Sequence, residues 1–189
     1  MKRMSTKKLV ALALLSAIVA VVQFLGGAVK IGPVSISLVL IPIVVGAAVY
    51  GAKAGLWLGA VFGVVVLATD PFAATLWAIN PFYTALICIG KGALAGWVAG
   101  LLYQLLKKKS TYIAALVSAF VCPVVNTGLF CLGMGTMFYN TLLELAGGTA
   151  TLYFLFVVMV GINFVVELGV NLLVSPIIPQ ISKAVGKQV

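Results

Sequence analysis

The stretch ALICIGKGALAGWVAG, residues 85–100, decides how the chain is read. It is an apolar run with Gly92, Gly96 and Gly100 at every fourth position and one lysine, Lys91, near its middle. Small residues at that spacing share one helix face and let a second helix approach closely in lipid. A charge inside such a helix is expensive, so it marks an ion pair or a contact with a solute. The stretch therefore reads as a membrane-crossing helix with a polar task.

The rest of the chain agrees. Of its 189 residues, 63% are hydrophobic and only 8% are charged, with a net charge of +9. The mean hydropathy is +1.26, whereas soluble domains carry about 25% charged residues. Apolar runs cover residues 9–27, 34–50, 54–68, 83–106, 112–138 and 151–178, several of them near the roughly 20 residues a helix needs to cross the hydrocarbon core. The expected fold is all-α: one membrane domain over residues 1–189, a compact bundle of six transmembrane helices. The start, MKRMSTKKLVALALLSAIVAVVQFLGGA, also has the basic head and apolar core of a signal peptide. It is read as a retained first span, because cleavage would leave only a short loop before the next span.

The positive charge lies in short clusters between apolar runs, not along one face, so nucleic acid is not an expected partner. With the N-terminus inside, Lys2, Arg3, Lys7, Lys8, Lys53, Lys107, Lys108, Lys109, Lys183 and Lys187 all lie inside. Lys30, Asp70 and Glu144 lie outside. That distribution satisfies the positive-inside rule and puts both termini in the cytoplasm.

Enzyme chemistry finds little support. There is no histidine, and the three cysteines, Cys88, Cys122 and Cys131, lie in apolar runs without ligand spacing, so neither a metal site nor a triad is expected. Gly90-Lys91-Gly92 lacks the Ser/Thr that follows the lysine of a phosphate-binding loop. We expect no catalytic residue and no cofactor bound by this chain.

The polar residues inside the spans are more informative. Lys91 lies about 16 Å along the helix from Asn80, and Asn126 and Asn163 each lie about 18 Å from the outer ends of their spans. Glu167 is one turn deeper than Asn163 on the same face. A lysine, two amides and a carboxylate thus reach similar depth on three helices. They read as a Lys91–Glu167 ion pair with interhelical hydrogen bonds, as a pocket in which Lys91 meets a solute's carboxylate, or as both, since the pair would hold Lys91 charged in the empty protein. Two outer segments, read as loops, carry Trp77, Asn80 and Tyr83 on one side and Tyr139 with Asn140 on the other. Rings and amides together suit the covering of a small molecule, although Trp and Tyr also anchor spans at the interface.

This pattern resembles the substrate-binding S components of energy-coupling factor (ECF) vitamin transporters. The likeness is carried by LVLIPIVVGAAVYGAKAGLWLGAVFGVVV, the NPF and GKGALAG segments, CPVVNTGLF, and NFVVELGVNLLVSPII. It implies a multi-pass subunit of a bacterial cytoplasmic membrane, surrounded by lipid, that binds a vitamin near the outer face. Transport would use a transmembrane coupling subunit and two cytoplasmic ATPases that consume ATP. Ala13 and Ala17 resemble the small-residue motif by which such subunits dock on the coupling subunit. Lys91, the NPF segment and the two amides most resemble the pantothenate-type members, with riboflavin, folate and pyridoxine as alternative cargoes. The resemblance places Lys91, Asn126, Asn163, Glu167, Trp77, Asn80, Tyr83 and Tyr139 as substrate-binding residues. A competing class is a stand-alone carrier or channel relaying ions through Lys91 and Glu167.

Overall fold

A computed structural model of the chain describes residues 6–26 and 38–186. The first part of the second apolar run, and Lys2, Arg3, Lys30 and Lys187, lie outside the described residues. The helices are α1 (Thr6–Gly26), α2 (Leu40–Tyr50), α3 (Ala52–Thr69), α4 (Pro71–Ile79), α5 (Pro81–Leu106), α6 (Thr111–Thr136) and α7 (Tyr139–Ala146). Then α8 (Thr151–Tyr153) runs into a π-helical segment, Phe154–Met159, followed by α9 (Gly161–Val174) and α10 (Ile177–Gly186). This is an all-α membrane bundle. Helices α1, α3, α5 and α6 are each long and apolar enough to cross a membrane. Up to six crossings result if two bent pairs each count as one: α7 with α8 and the π segment, bent by 93°, and α9 with α10, bent by 50°. The run read as 151–178 is therefore a broken path rather than one straight helix.

The glycine spacing builds the seam at the centre. Helices α3 and α5 run antiparallel, with Gly55 against Gly96, Gly59 against Gly92, and Gly63 against Cys88. A β-carbon on Gly55, Gly59 or Gly63 would overlap the facing backbone carbonyl. The two backbones touch, which lipid-embedded helices use in place of a hydrophobic drive between them. Gly51 connects α2 to α3 with φ of 97°, a conformation that a side chain would strain, and its N–H donates to Ala47 O at 2.9 Å.

On the other flank of α5, α6 packs closely, and the buried Ser118 Oγ donates to Ala99 O across the pair at 2.9 Å. Helix α9 packs on α6, while α10 crosses α2 and α6. One buried cluster, including Ile43, Leu58, Phe62, Ala95 and Ala99, fills the space around α3 and α5. A second, including Leu76, Ile87, Met134, Phe138, Leu142 and Met159, lies beneath α4 and α7.

Basic side chains gather at one end. Lys8 Nζ donates to Tyr50 O at 3.2 Å, and Lys183 Nζ lies 6.0 Å from the Tyr112 ring centroid. Antiparallel pairing brings the Gly51 turn, with Lys53 beside it, level with Gln104 and the Lys107–Lys109 cluster. The opposite end carries Asp70 and Glu144. Both segments read as outer loops in the sequence are corrected here: residues 71–79 and 139–146 are helices, α4 and α7. The Asp70 cap that starts α4 is described next; α7 has no side-chain cap at its start and ends at Gly147 in the left-handed conformation.

Candidate functional site

Two Asx-Pro-Phe sequences set the end opposite the lysine cluster. In Asp70-Pro71-Phe72, the Asp70 carboxylate accepts from Phe72 N at 2.8 Å and Ala73 N at 3.2 Å, capping α4. In Asn80-Pro81-Phe82, Asn80 Oδ1 accepts from Tyr83 N at 3.1 Å, capping α5. In each, proline takes the first helical position, where its missing N–H is no loss. Asn80 thus has a structural duty: its oxygen is engaged in the cap.

Above this cap lies a cavity of about 370 Å³ lined by Asn80, Tyr83, Thr136, Tyr139, Asn140 and Thr141, with Ile79, Met137 and Phe138. The structure therefore brings together three sequence-predicted residues, Asn80, Tyr83 and Tyr139. Trp77 does not line this cavity and is largely exposed on α4. Tyr83 packs edge-on to Phe138 with ring centroids 6.4 Å apart, so the aromatic wall is partly pre-arranged.

Deeper in the bundle, Lys91 is half-buried on α5. Its Nζ sits 5.0 Å from the Phe130 ring centroid on α6 and 5.9 Å from that of Phe62 on α3. Both lie within the range over which a ring face attracts an ammonium, and the attraction grows where water is excluded. Phe130 in turn meets Phe72 of α4 edge-on at 6.2 Å. The short helix α4 thereby reaches the aromatic cradle of the lysine. Ile87 on α5 and Met134 on α6, which lie between the Asn80 cavity and Lys91 along those helices, are buried.

Asn126, Asn163 and Glu167 are all buried. Among the described residues, Asn126 Oδ1 has no hydrogen-bond partner, which leaves an acceptor in the interior that a bound donor would satisfy. Asn163 and Glu167 begin a polar ladder on α9 that continues to the buried Asn171, whose Nδ2 donates to Glu167 O at 2.8 Å. Helix α9 packs on α6 and α2, whereas α5 packs on α3, α6, α2 and α4. Lys91 and Glu167 thus stand on two helices that both pack on α6 and α2, and the lysine ammonium lies near the Phe130 and Phe62 rings.

Sequence reasoning missed Phe130 and Phe62 as partners of Lys91, Asn171 in the ladder, and Thr136 and Thr141 in the cavity at Asn80. Asn171 was signalled by its four-residue spacing from Glu167. The phenylalanines carried no local signal, since their role depends on helix pairing. Ala13 and Ala17 lie exposed on α1, beside the exposed Leu14 and Ile18. Taken together, the cavity at Asn80 and the deeper residues offer an ammonium, amides, hydroxyls and rings, a set suited to binding a solute that has both an anionic group and an apolar body.

Residues 7–179 match the family described as "ECF transporter, substrate-specific component". A comparison with curated proteins found no match.

Proposed function

The chain belongs to the family of ECF transporter substrate-specific components, and from that premise we propose that it binds a carboxylate-bearing vitamin, pantothenate, for import. The observation that carries this reading is the half-buried Lys91, held between Phe130 and Phe62 inside a membrane bundle. An ammonium whose contacts are two ring faces keeps its capacity for a strong, charge-assisted hydrogen bond to an incoming carboxylate. Asn126 supplies an acceptor for a hydroxyl or amide of the cargo. Asn163 and Glu167 complete the deep polar wall, and Asn80, Tyr83 and Tyr139 line the cavity at the outer end. Riboflavin is the second reading, favoured by the Tyr83–Phe138 wall with Tyr139 beside it in the outer cavity.

In this account the chain is a single six-span domain in a bacterial cytoplasmic membrane. The lysine-rich end and both termini face the cytoplasm, as the positive-inside rule requires. The exposed Ala13 and Ala17 on α1 meet the transmembrane coupling subunit, and two cytoplasmic ATPases supply the energy. The chain itself binds no cofactor and catalyses no reaction.

Two measurements test the reading together. Mass spectrometry of the protein purified from cells grown with the vitamin should find it bound. Liposomes containing the chain alone should bind the vitamin without accumulating it, and uptake should begin only with the coupling subunit, ATPases and ATP. Accumulation by the chain alone would replace this account with that of a stand-alone carrier.

A further inference from the structure

A second cavity, of about 210 Å³, lies on a different flank of α6 from the face that meets Lys91. One wall is formed by Val124, Thr127 and Gly128 of α6, and the other by Phe156, Val160 and Phe164. The α6 residues follow helical spacing, so they form one stripe along its length. Gly128 makes the hollow, since a β-carbon there would meet nothing within 4 Å. The opposite wall is where the chain breaks regular helix: Phe156 belongs to the π segment, and Val160 separates that segment from α9.

Three features define the occupant. The rim is open to the surroundings, with Val124 37% and Phe156 56% exposed, and at this depth of a membrane-spanning helix the surroundings are hydrocarbon. Val124 lies about 20 Å and Cys131 about 30 Å from the start of α6, so the cavity sits in the half of the bundle nearer α4 and α7. Water is a poor occupant, because it needs two to four polar partners and the lining side chains are apolar apart from Thr127 and Cys131. A protein helix, roughly 10 Å across, is too wide for so small a hollow. An empty cavity would forfeit dispersion contacts along both walls.

We infer that this cavity seats one acyl chain of a membrane phospholipid, wedged between α6 and the π segment. The chain fills the space left by Gly128 and braces the broken helix from its lipid side. The seat lies on another face of α6 from Phe130, the ring that meets the lysine of the proposed vitamin site.

The test uses the full chain in lipid nanodiscs containing phosphatidylcholine with a diazirine in one acyl chain, followed by illumination and peptide mapping. Labelling of residues 124–131 and 156–164 should exceed that of the exposed α1 face around Leu14 and Val21. Gly128→Leu, which fills the hollow, should reduce it to the α1 level while α1 labelling stays unchanged. Val124→Trp, which covers the rim from outside, should do the same without altering the interior. Wild-type labelling no higher than on α1, or enrichment that persists in both variants, would overturn the inference.

Discussion

Gly90 and Gly92 flank Lys91 on one helix, yet the structure assigns them opposite responses to the same substitution. A β-carbon on Gly90 meets nothing within 4 Å. One on Gly92 overlaps the Gly59 carbonyl oxygen and lies 2.8 Å from Phe62 Cδ1. Replacing either glycine by alanine gains up to about 1 kcal/mol in helix propensity. That gain cancels when the two variants are compared, leaving the overlap alone. Forcing an extra carbon into a packed interface costs about 1–3 kcal/mol. The upper part of that range applies here, because the obstacle is backbone and cannot rotate away. Separating α3 from α5 by even 0.5–1 Å would also forfeit a quarter to a half of the dispersion energy at the neighbouring Gly55–Gly96 pair. Gly92→Ala should therefore melt below Gly90→Ala by roughly 5–10 °C, using about 2–4 °C per kcal/mol for a chain of this size. Thermal unfolding in detergent, followed with a thiol-reactive dye, reads this directly, since Cys88, Cys122 and Cys131 are free and buried when folded. Equal melting temperatures, or a more stable Gly92→Ala, would refute the seam as drawn.

Other perturbations have different signatures. Asp70→Ala removes the α4 cap and should lower stability by about 1 kcal/mol, with Asp70→Asn close to wild type, as measured by the same thermal assay. Asn126→Leu removes a buried acceptor that lacks a partner, so the ligand-free protein should gain up to about 1–3 kcal/mol while vitamin affinity falls. A variant that loses stability and keeps its affinity would show that Asn126 is a packing residue instead. Ser118→Ala breaks the buried hydrogen bond to Ala99 O and should cost about 1 kcal/mol in unfolding measurements.

Much of the architecture was legible because its causes are periodic. The four-residue glycine spacing in two stretches anticipated close packing, and the structure pairs those very residues, Gly55 with Gly96 and Gly59 with Gly92. Lysine placement anticipated a basic end, and Lys8, Lys53, Lys107–Lys109 and Lys183 meet there. The short helices α4 and α7 were hidden, since eight or nine residues are too few for a periodic apolar signal to stand out. The Asp-Pro and Asn-Pro pairs were nevertheless readable as helix starts rather than loop residues. The π segment had no counterpart in the sequence, because Phe154–Met159 reads as any apolar helix would. Of the candidate site residues, Lys91 and Asn126 lie on unbroken helices, where counting residues gives a distance along the helix, whereas the count to Asn163 and Glu167 assumed a straight helix from Thr151 that the π segment interrupts. The aromatic cradle of Lys91 was not legible, because Phe62 and Phe130 come from helices whose pairing only the fold reveals.

The central claim is that Lys91 receives a carboxylate. Its most direct test is calorimetric titration of purified protein with pantothenate and with panthenol, its alcohol analogue, on wild type and Lys91→Met. A charged hydrogen bond contributes about 1.5–3 kcal/mol, so wild type should prefer pantothenate roughly 10–150-fold, and Lys91→Met should bind the two alike. If Lys91→Met retains the preference, or wild type binds neither compound, the carboxylate role assigned to Lys91 is contradicted.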